Sequence, residues 1–129
     1  MIRINNTIRV PCAADSSFFK YWLTLLRPYH GLTDKEILVL AEILRKREDI
    51  SAKITDPELL DKVLFTEDVK KEIREICDIP IQYFQVMLSK FRKKGIIVNN
   101  KINQKLIPKL TPGEDTFKLM FLFDFQNVK

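Results

Sequence analysis

The stretch Cys77-Asp78-Ile79-Pro80-Ile81-Gln82-Tyr83-Phe84-Gln85-Val86-Met87-Leu88-Ser89-Lys90-Phe91-Arg92-Lys93-Lys94-Gly95 holds most of the structural information in this chain. Cys77 to Pro80 makes a tight turn, because Asp tolerates the left-handed backbone conformation and Pro suits the first position of a helix. The spacing then predicts a helix from about Ile81 to Lys94. At about 100° per residue, Ile81, Phe84, Met87, Leu88 and Phe91 share one apolar arc. The opposite arc has Gln82, Tyr83, Val86, Ser89, Lys90 and Lys93. Gly95 ends the helix.

Downstream, Ile96-Ile97-Val98-Asn99-Asn100-Lys101-Ile102 sets an Asn-Asn pair between alternating residues. Asn accepts a positive φ, so a β-hairpin with a tight turn is expected. Pro108 to Asp115, with Pro112 and Gly113, is expected to be a loop. In the last run Phe117, Leu119, Phe121, Phe123 and Phe125 alternate with Lys118, Met120, Leu122 and Asp124. That period of two predicts a strand.

Upstream, Thr66 starts a helix with Val69, Ile73 and Ile76 inward and Lys70, Lys71 and Arg74 outward. Asp56-Pro57 is an acidic cap followed by Pro, and opens a shorter helix with Leu59, Leu60, Val63 and Leu64 as its apolar residues. Thr33-Asp34-Lys35-Glu36 is a capping box. The helix it opens turns Ile37, Leu40, Ala41 and Leu44 to one side and ends in Arg45-Lys46-Arg47, cations placed where its dipole favours them. Asp15 to Ser17 offers caps for an apolar helix carrying Phe18, Phe19, Trp22, Leu23, Leu25 and Leu26, stopped by Arg27-Pro28. Ile2 to Val10 alternates weakly and suits a short strand or an ordered arm.

The 129 residues suit a single domain. Within it, residues 1–31 are an arm and apolar helix, 32–110 the core, and 111–129 a C-terminal strand. The expected class is α+β: a winged helix-turn-helix of four to five helices plus a small antiparallel sheet. A hydrophobic fraction of 46% with 30% charge supports a real core. The longest apolar runs, Ile37 to Ala41 and Leu119 to Phe123, are far short of the roughly 20 residues of a membrane crossing. Met1-Ile2-Arg3 followed by Asn5, Asn6 and Thr7 is not a signal peptide, so a cytoplasmic location with no membrane partner is expected.

Chemistry at a metal or a nucleophile has little to work with. Cys12 and Cys77 are 65 positions apart with no Cys-x-x-Cys, which indicates neither a zinc site nor a disulfide framework. The one histidine, His30, sits in Pro28-Tyr29-His30-Gly31, a turn. Three glycines cannot make a phosphate loop. The expectation is a protein without catalytic residues, metal or cofactor.

Charge is distributed unevenly. The net charge is +5, yet residues 79–109 hold seven Lys and Arg and no Asp or Glu, while residues 32–78 sum to −4. Cations near phosphates release condensed counterions on binding, so a polyanion is the natural partner of the basic stretch. Helix, turn, helix, Gly, hairpin is the order that lets one helix press its far face into a major groove. The DNA-contacting residues expected on this basis are Gln82, Tyr83, Ser89, Lys90, Lys93 and Lys94, with Lys101 and Lys105 on or beyond the hairpin. Val86, on the same arc, is placed to meet a thymine methyl or to mark a protein contact instead. Exchanging Lys90 and Lys93 for Glu is expected to abolish duplex binding without unfolding the domain.

The stretch from Val69 to Leu110, above all Ile76-Cys77-Asp78-Ile79-Pro80 and Leu88-Ser89-Lys90-Phe91-Arg92-Lys93-Lys94-Gly95-Ile96-Ile97, resembles the winged helix-turn-helix of bacterial and phage transcription regulators and plasmid replication initiators. The resemblance implies that the second helix reads the groove and the hairpin is the wing. The turn position usually held by Gly in that family is Asp78 here. The whole chain is also similar to small proteins of crAss-like phages of Bacteroidetes, at Leu32-Thr33-Asp34-Lys35-Glu36, Phe91-Arg92-Lys93-Lys94 and Lys101-Ile102-Asn103-Gln104-Lys105-Leu106-Ile107-Pro108. That likeness implies a second expectation: a virion component, such as part of a portal or neck ring, that uses a winged-helix-like fold as a building block. Its assembly interface would be Phe18, Phe19 and Trp22 with Phe121, Phe123 and Phe125, and a homo-oligomer is expected.

Overall fold

A computed structural model of the chain describes residues 3–13, 16–111 and 113–125. It is a small α+β protein. In chain order it has α1 (Ser16–Leu25), α2 (Arg27–His30), α3 (Asp34–Ser51), α4 (Pro57–Leu64), α5 (Glu67–Cys77), α6 (Ile81–Lys93), β1 (Ile97–Val98) and β2 (Lys101–Ile102). A 3-10 turn, Gln104–Leu106, follows.

The central element is α3, with α1 against one side and α4 and α5 against others. That position explains why it buries Val39 and Ile43 as well as the expected Ile37, Leu40, Ala41 and Leu44. Its capping box is complete: Thr33 N–H donates to Glu36 Oε1 at 2.8 Å, and Glu36 N–H donates to Thr33 Oγ1 at 3.3 Å. The helix does not stop at Arg45-Lys46-Arg47 but continues to Ser51. Arg47 is buried, its Nε 3.0 Å from Oδ1 of the equally buried Asp61, so the guanidinium ties α3 to α4 instead of facing the helix dipole in solvent. Lys46 reaches Glu72 on α5.

Both helices of the α5–α6 pair end in the same hydrogen-bond pattern. Asp78 has φ +53° and ψ +53°, with Asp78 N–H donating to Glu75 O and Ile79 N–H to Arg74 O. Gly95 has φ +75°, with Gly95 N–H donating to Arg92 O and Ile96 N–H to Phe91 O. These are Schellman closures, in which one left-handed residue satisfies two terminal carbonyls and turns the chain sharply. After α6, Ile97 pairs with Ile102 and Val98 with Lys101. Asn99 and Asn100 both have positive φ (53° and 59°), the turn whose twist matches a hairpin. The hairpin contacts α6 through β1 and α4 through β2.

The core gathers Trp22 and Leu23 from α1, Leu40 and Leu44 from α3, Leu64, Ile73, Phe84 and Phe91 from α4, α5 and α6, and Ile102 from the hairpin. Some expected apolar-face residues are not in it: Leu25, Leu59, Ile76 and Ile81 are exposed. Each lies at the edge of its helix's apolar arc, where a neighbour is needed to cover it. Trp22 Nε1–H donates to Leu106 O at 2.9 Å and so fastens the segment after the hairpin to α1.

The expected C-terminal strand is not formed, and of the two readings of the N-terminal segment the strand is not the one seen. Residues 3–13 are exposed chain without strand pairing, an arm. Residues 117–125 form no strand: only Phe117 packs inward, edge-on to Phe18 and Trp22 at centroid separations of 5.3 and 5.6 Å. A strand needs a partner edge, and the only sheet among the described residues is the two-residue hairpin. The expectations at Ile2, Asp15 and Pro112 lie outside the described residues.

Candidate nucleic-acid interface

The position of α6 follows from its apolar arc. Phe84, Met87, Leu88 and Phe91 are buried, and Pro80 leads directly into the first turn. Burying four large side chains fixes the helix's rotation and sets its other side outward. At the centre of that outer side are Gln82, Val86, Ser89 and Lys93. Gln82 and Lys93 are exposed, Ser89 is half-buried, and Val86 is 64% exposed, an unusual place for a β-branched apolar residue. Tyr83 lies on one flank and is 42% exposed. Gln85 and Arg92, which the arc count had left out, lie on the other flank and are exposed. A wider arc, centred opposite the mean direction of the four buried residues, finds both of them.

The expected cations divide into two groups. Lys90 Nζ is 2.6 Å from Glu36 Oε2, so one carboxylate caps α3 and anchors α6 at once. Burial alone would raise the Glu36 pKa; the hydrogen bond from Lys90 and those from Thr33 outweigh it, and the group stays below its ordinary value. Lys94 Nζ donates to His30 O and Gly31 O at 3.1 and 3.3 Å. Lys101 Nζ is 3.6 Å from Glu58 Oε1, an exposed pair of little energetic weight. Lys93 and Lys105 are exposed and have no ion-pair partner among the described residues; the same holds for Arg92 and Lys109.

Lys90 is thus a poor test residue, since Lys90→Glu would set two carboxylates face to face at a helix cap. Lys93 and Lys105 can be changed without touching a fold contact.

The hairpin is held by Asn103, whose role the sequence did not disclose. Its N–H donates to Ile96 O at 2.8 Å, its Nδ2–H to Gly95 O at 2.9 Å, and its Oδ1 accepts from Lys105 N–H at 3.0 Å. The first two bonds lock the hairpin's base to the end of α6, and the third caps the 3-10 turn that follows. The outer positions Val98, Asn99, Asn100 and Lys101 remain exposed.

Of the expected assembly residues, Phe19 and Trp22 are covered by their own chain and Phe18 is half-buried against Phe117, so α1 presents none of these three as a free surface. Phe121, Phe123 and Phe125 are exposed. His30 is buried and tied to the backbone on both ring nitrogens, Nε2 to Leu23 O at 2.7 Å and Nδ1 to Leu32 N at 3.0 Å. Cys12 and Cys77 are free thiols, and burial, with Glu42 adding to it, pushes the Cys77 pKa up.

Among the described residues no group of His, Cys, Asp and Glu side chains is arranged to hold a metal ion. None of the helices there is long and apolar enough to cross a membrane. No family model, curated protein or solved structure matches this chain.

Proposed function

We propose that this protein is a non-enzymatic, winged-helix DNA-binding module that lays the outer side of α6 in a major groove and sets the hairpin and the segment after it on the flanking backbone. In this reading α5 and α6 are the helix-turn-helix and β1–β2 the wing. The supporting observation is that α6 leaves Gln82, Gln85, Val86, Arg92 and Lys93 in solvent, with no acidic side chain anywhere on the helix. Glutamine side chains can pair with an adenine edge, an exposed valine meets a thymine methyl, and cations at the helix end meet phosphates. Lys105 and Lys109 extend the cationic surface beyond the hairpin.

Fluorescence anisotropy with a labelled duplex tests this. If Arg92, Lys93, Lys105 and Lys109 each neutralise one phosphate, affinity falls about a hundredfold between 50 and 200 mM salt. The expected result for Lys93→Glu with Lys105→Glu is loss of binding at an unchanged thermal midpoint. Binding that ignores salt, or that survives this double substitution, rejects the proposal.

A second reading has its own observation. Apolar side chains from Leu119 to Phe125 stand in solvent, which favours an assembly role such as a structural component of a phage particle. Absence of duplex binding together with a defined high-order oligomer by light scattering would favour it.

A further inference from the structure

The segment from Phe117 to Phe125 starts anchored and then leaves the protein. Exposure climbs from 39% at Leu119 to 83% at Phe123 and 99% at Phe125. From Leu122 onward both faces of the segment are well exposed, and among the described residues no backbone hydrogen bond joins residues 117–125 to the rest of the chain. Lys118 and Asp124 have no ion-pair partner among the described residues.

The order of residues is self-complementary. When two copies run antiparallel about Phe121, Phe117 faces Phe125, Leu119 faces Phe123 and Phe121 faces itself. On the other face Met120 meets Leu122, and Lys118 of each copy meets Asp124 of the other. A shift of the two-fold centre by one residue sets Lys118 against Leu122 or beyond Phe125, and Asp124 against Thr116 or Met120. Parallel pairing in register sets Lys against Lys and Asp against Asp, which repel. One register therefore matches every charge and every apolar side chain.

We infer that residues 117–125 form an antiparallel β-ribbon with the same segment of a second copy, centred on Phe121, making a two-fold dimer. An isolated two-stranded ribbon is marginal in water. Here Phe117 lies against Phe18 and Trp22, and the pairing brings Phe125 of the other copy beside it, so both ends of the phenylalanine face rest on an α1 helix. The interface is isologous and closes at two. It uses no residue of α6 or the hairpin, so it stands or falls separately from duplex binding.

Sedimentation equilibrium of the full chain across a concentration series reads the outcome. A monomer–dimer equilibrium is expected. Lys118→Asp alone and Asp124→Lys alone each weaken it, by roughly tenfold, because two cross-strand pairs turn repulsive. The combined Lys118→Asp/Asp124→Lys variant restores it, since each pair is merely reversed. A second measurement fixes the register in a Cys12→Ser background. Phe121→Cys cross-links on oxidation, as facing Cα atoms are about 5 Å apart, whereas Leu119→Cys does not, its two copies being about 13 Å apart. A chain that stays monomeric, an open-ended series of oligomers, a combined charge variant no better than the singles, or equal cross-linking at 119 and 121 overturns the inference.

Discussion

The imidazole of His30 bridges the end of α1 and the start of the α3 cap with one proton. Leu32 N–H donates to Nδ1, so Nε2 carries the hydrogen and donates to Leu23 O. Protonation would set a second N–H against the Leu32 donor. Burial, opposed in part by the Leu23 bond and reinforced by Arg27 and Lys94, holds the pKa below its ordinary 6.5. Below that value the unfolded chain takes up a proton that the folded chain refuses, so stability is lost as pH falls from 6.5 towards the folded pKa, and is level above it. Urea denaturation at about pH 7.5 and 5.5 is expected to show that loss in the parent chain. His30→Gln should be less stable at neutral pH by about 1–3 kcal/mol, from the orphaned amide, and should lack the slope. Position 78 offers the opposite sign: a β-carbon in the left-handed region carries strain that glycine does not. Asp78→Gly is expected to raise stability by about 1 kcal/mol, read as a higher denaturant midpoint at unchanged slope. A lower midpoint would mean the aspartate side chain does more than tolerate the turn.

At the scale of elements, helices and the hairpin were largely legible and the C-terminal strand was not. A helix satisfies its own backbone, so Thr33-Asp34-Lys35-Glu36, Asp56-Pro57 and Asp78-Ile79-Pro80 could be recognised from adjacent residues. The Asn99-Asn100 hairpin is equally local. Alternation from Phe117 to Phe125 reports only that a segment suits a sheet; pairing needs an edge elsewhere, and among the described residues the one sheet is the two-residue hairpin, with which the segment does not pair. The α3–α4 junction was hidden for a related reason. Arg47 and Asp61 are 14 positions apart on different helices, and no periodicity announces that they meet. Removing one partner leaves a buried, unpaired charge, so Asp61→Ala is expected to cost about 3 kcal/mol in chemical denaturation. Arg47→Met combined with Asp61→Leu should recover most of that, because two apolar side chains replace the pair without a stranded ion. Failure of the double variant to recover would show that the pair also orients α4.

Across the whole molecule, the cations of the basic stretch divide into two groups. Of the seven cations in residues 79–109, Lys90 and Lys101 bind carboxylates of the acidic half and Lys94 binds backbone carbonyls. Lys90 and Lys94 tie α6 to the α3 cap and to the end of α2, while the exposed Lys101–Glu58 pair adds little. The remaining four, Arg92, Lys93, Lys105 and Lys109, have no ion-pair partner among the described residues, and under the proposed function they would carry the salt dependence. Composition alone counts both groups as one basic patch. The exposed segment after Phe117 starts against α1, so the two-fold ribbon inferred above uses none of these four cations.

The order of residues, by itself, determined where the capped helices begin, which turns take left-handed residues, and which side of α6 is apolar; it did not show that α3 runs on to Ser51 or that Arg27–His30 is helical. The features it did determine depend on neighbours within a few positions, and the chain's covalent connectivity guarantees such neighbours. Only the tertiary structure decided which lysines are already engaged, that His30 and Arg47 are buried, and that the last apolar run pairs with no strand among the described residues. Those outcomes depend on what lies opposite each group in space, and distant residues come face to face only once the helices have packed.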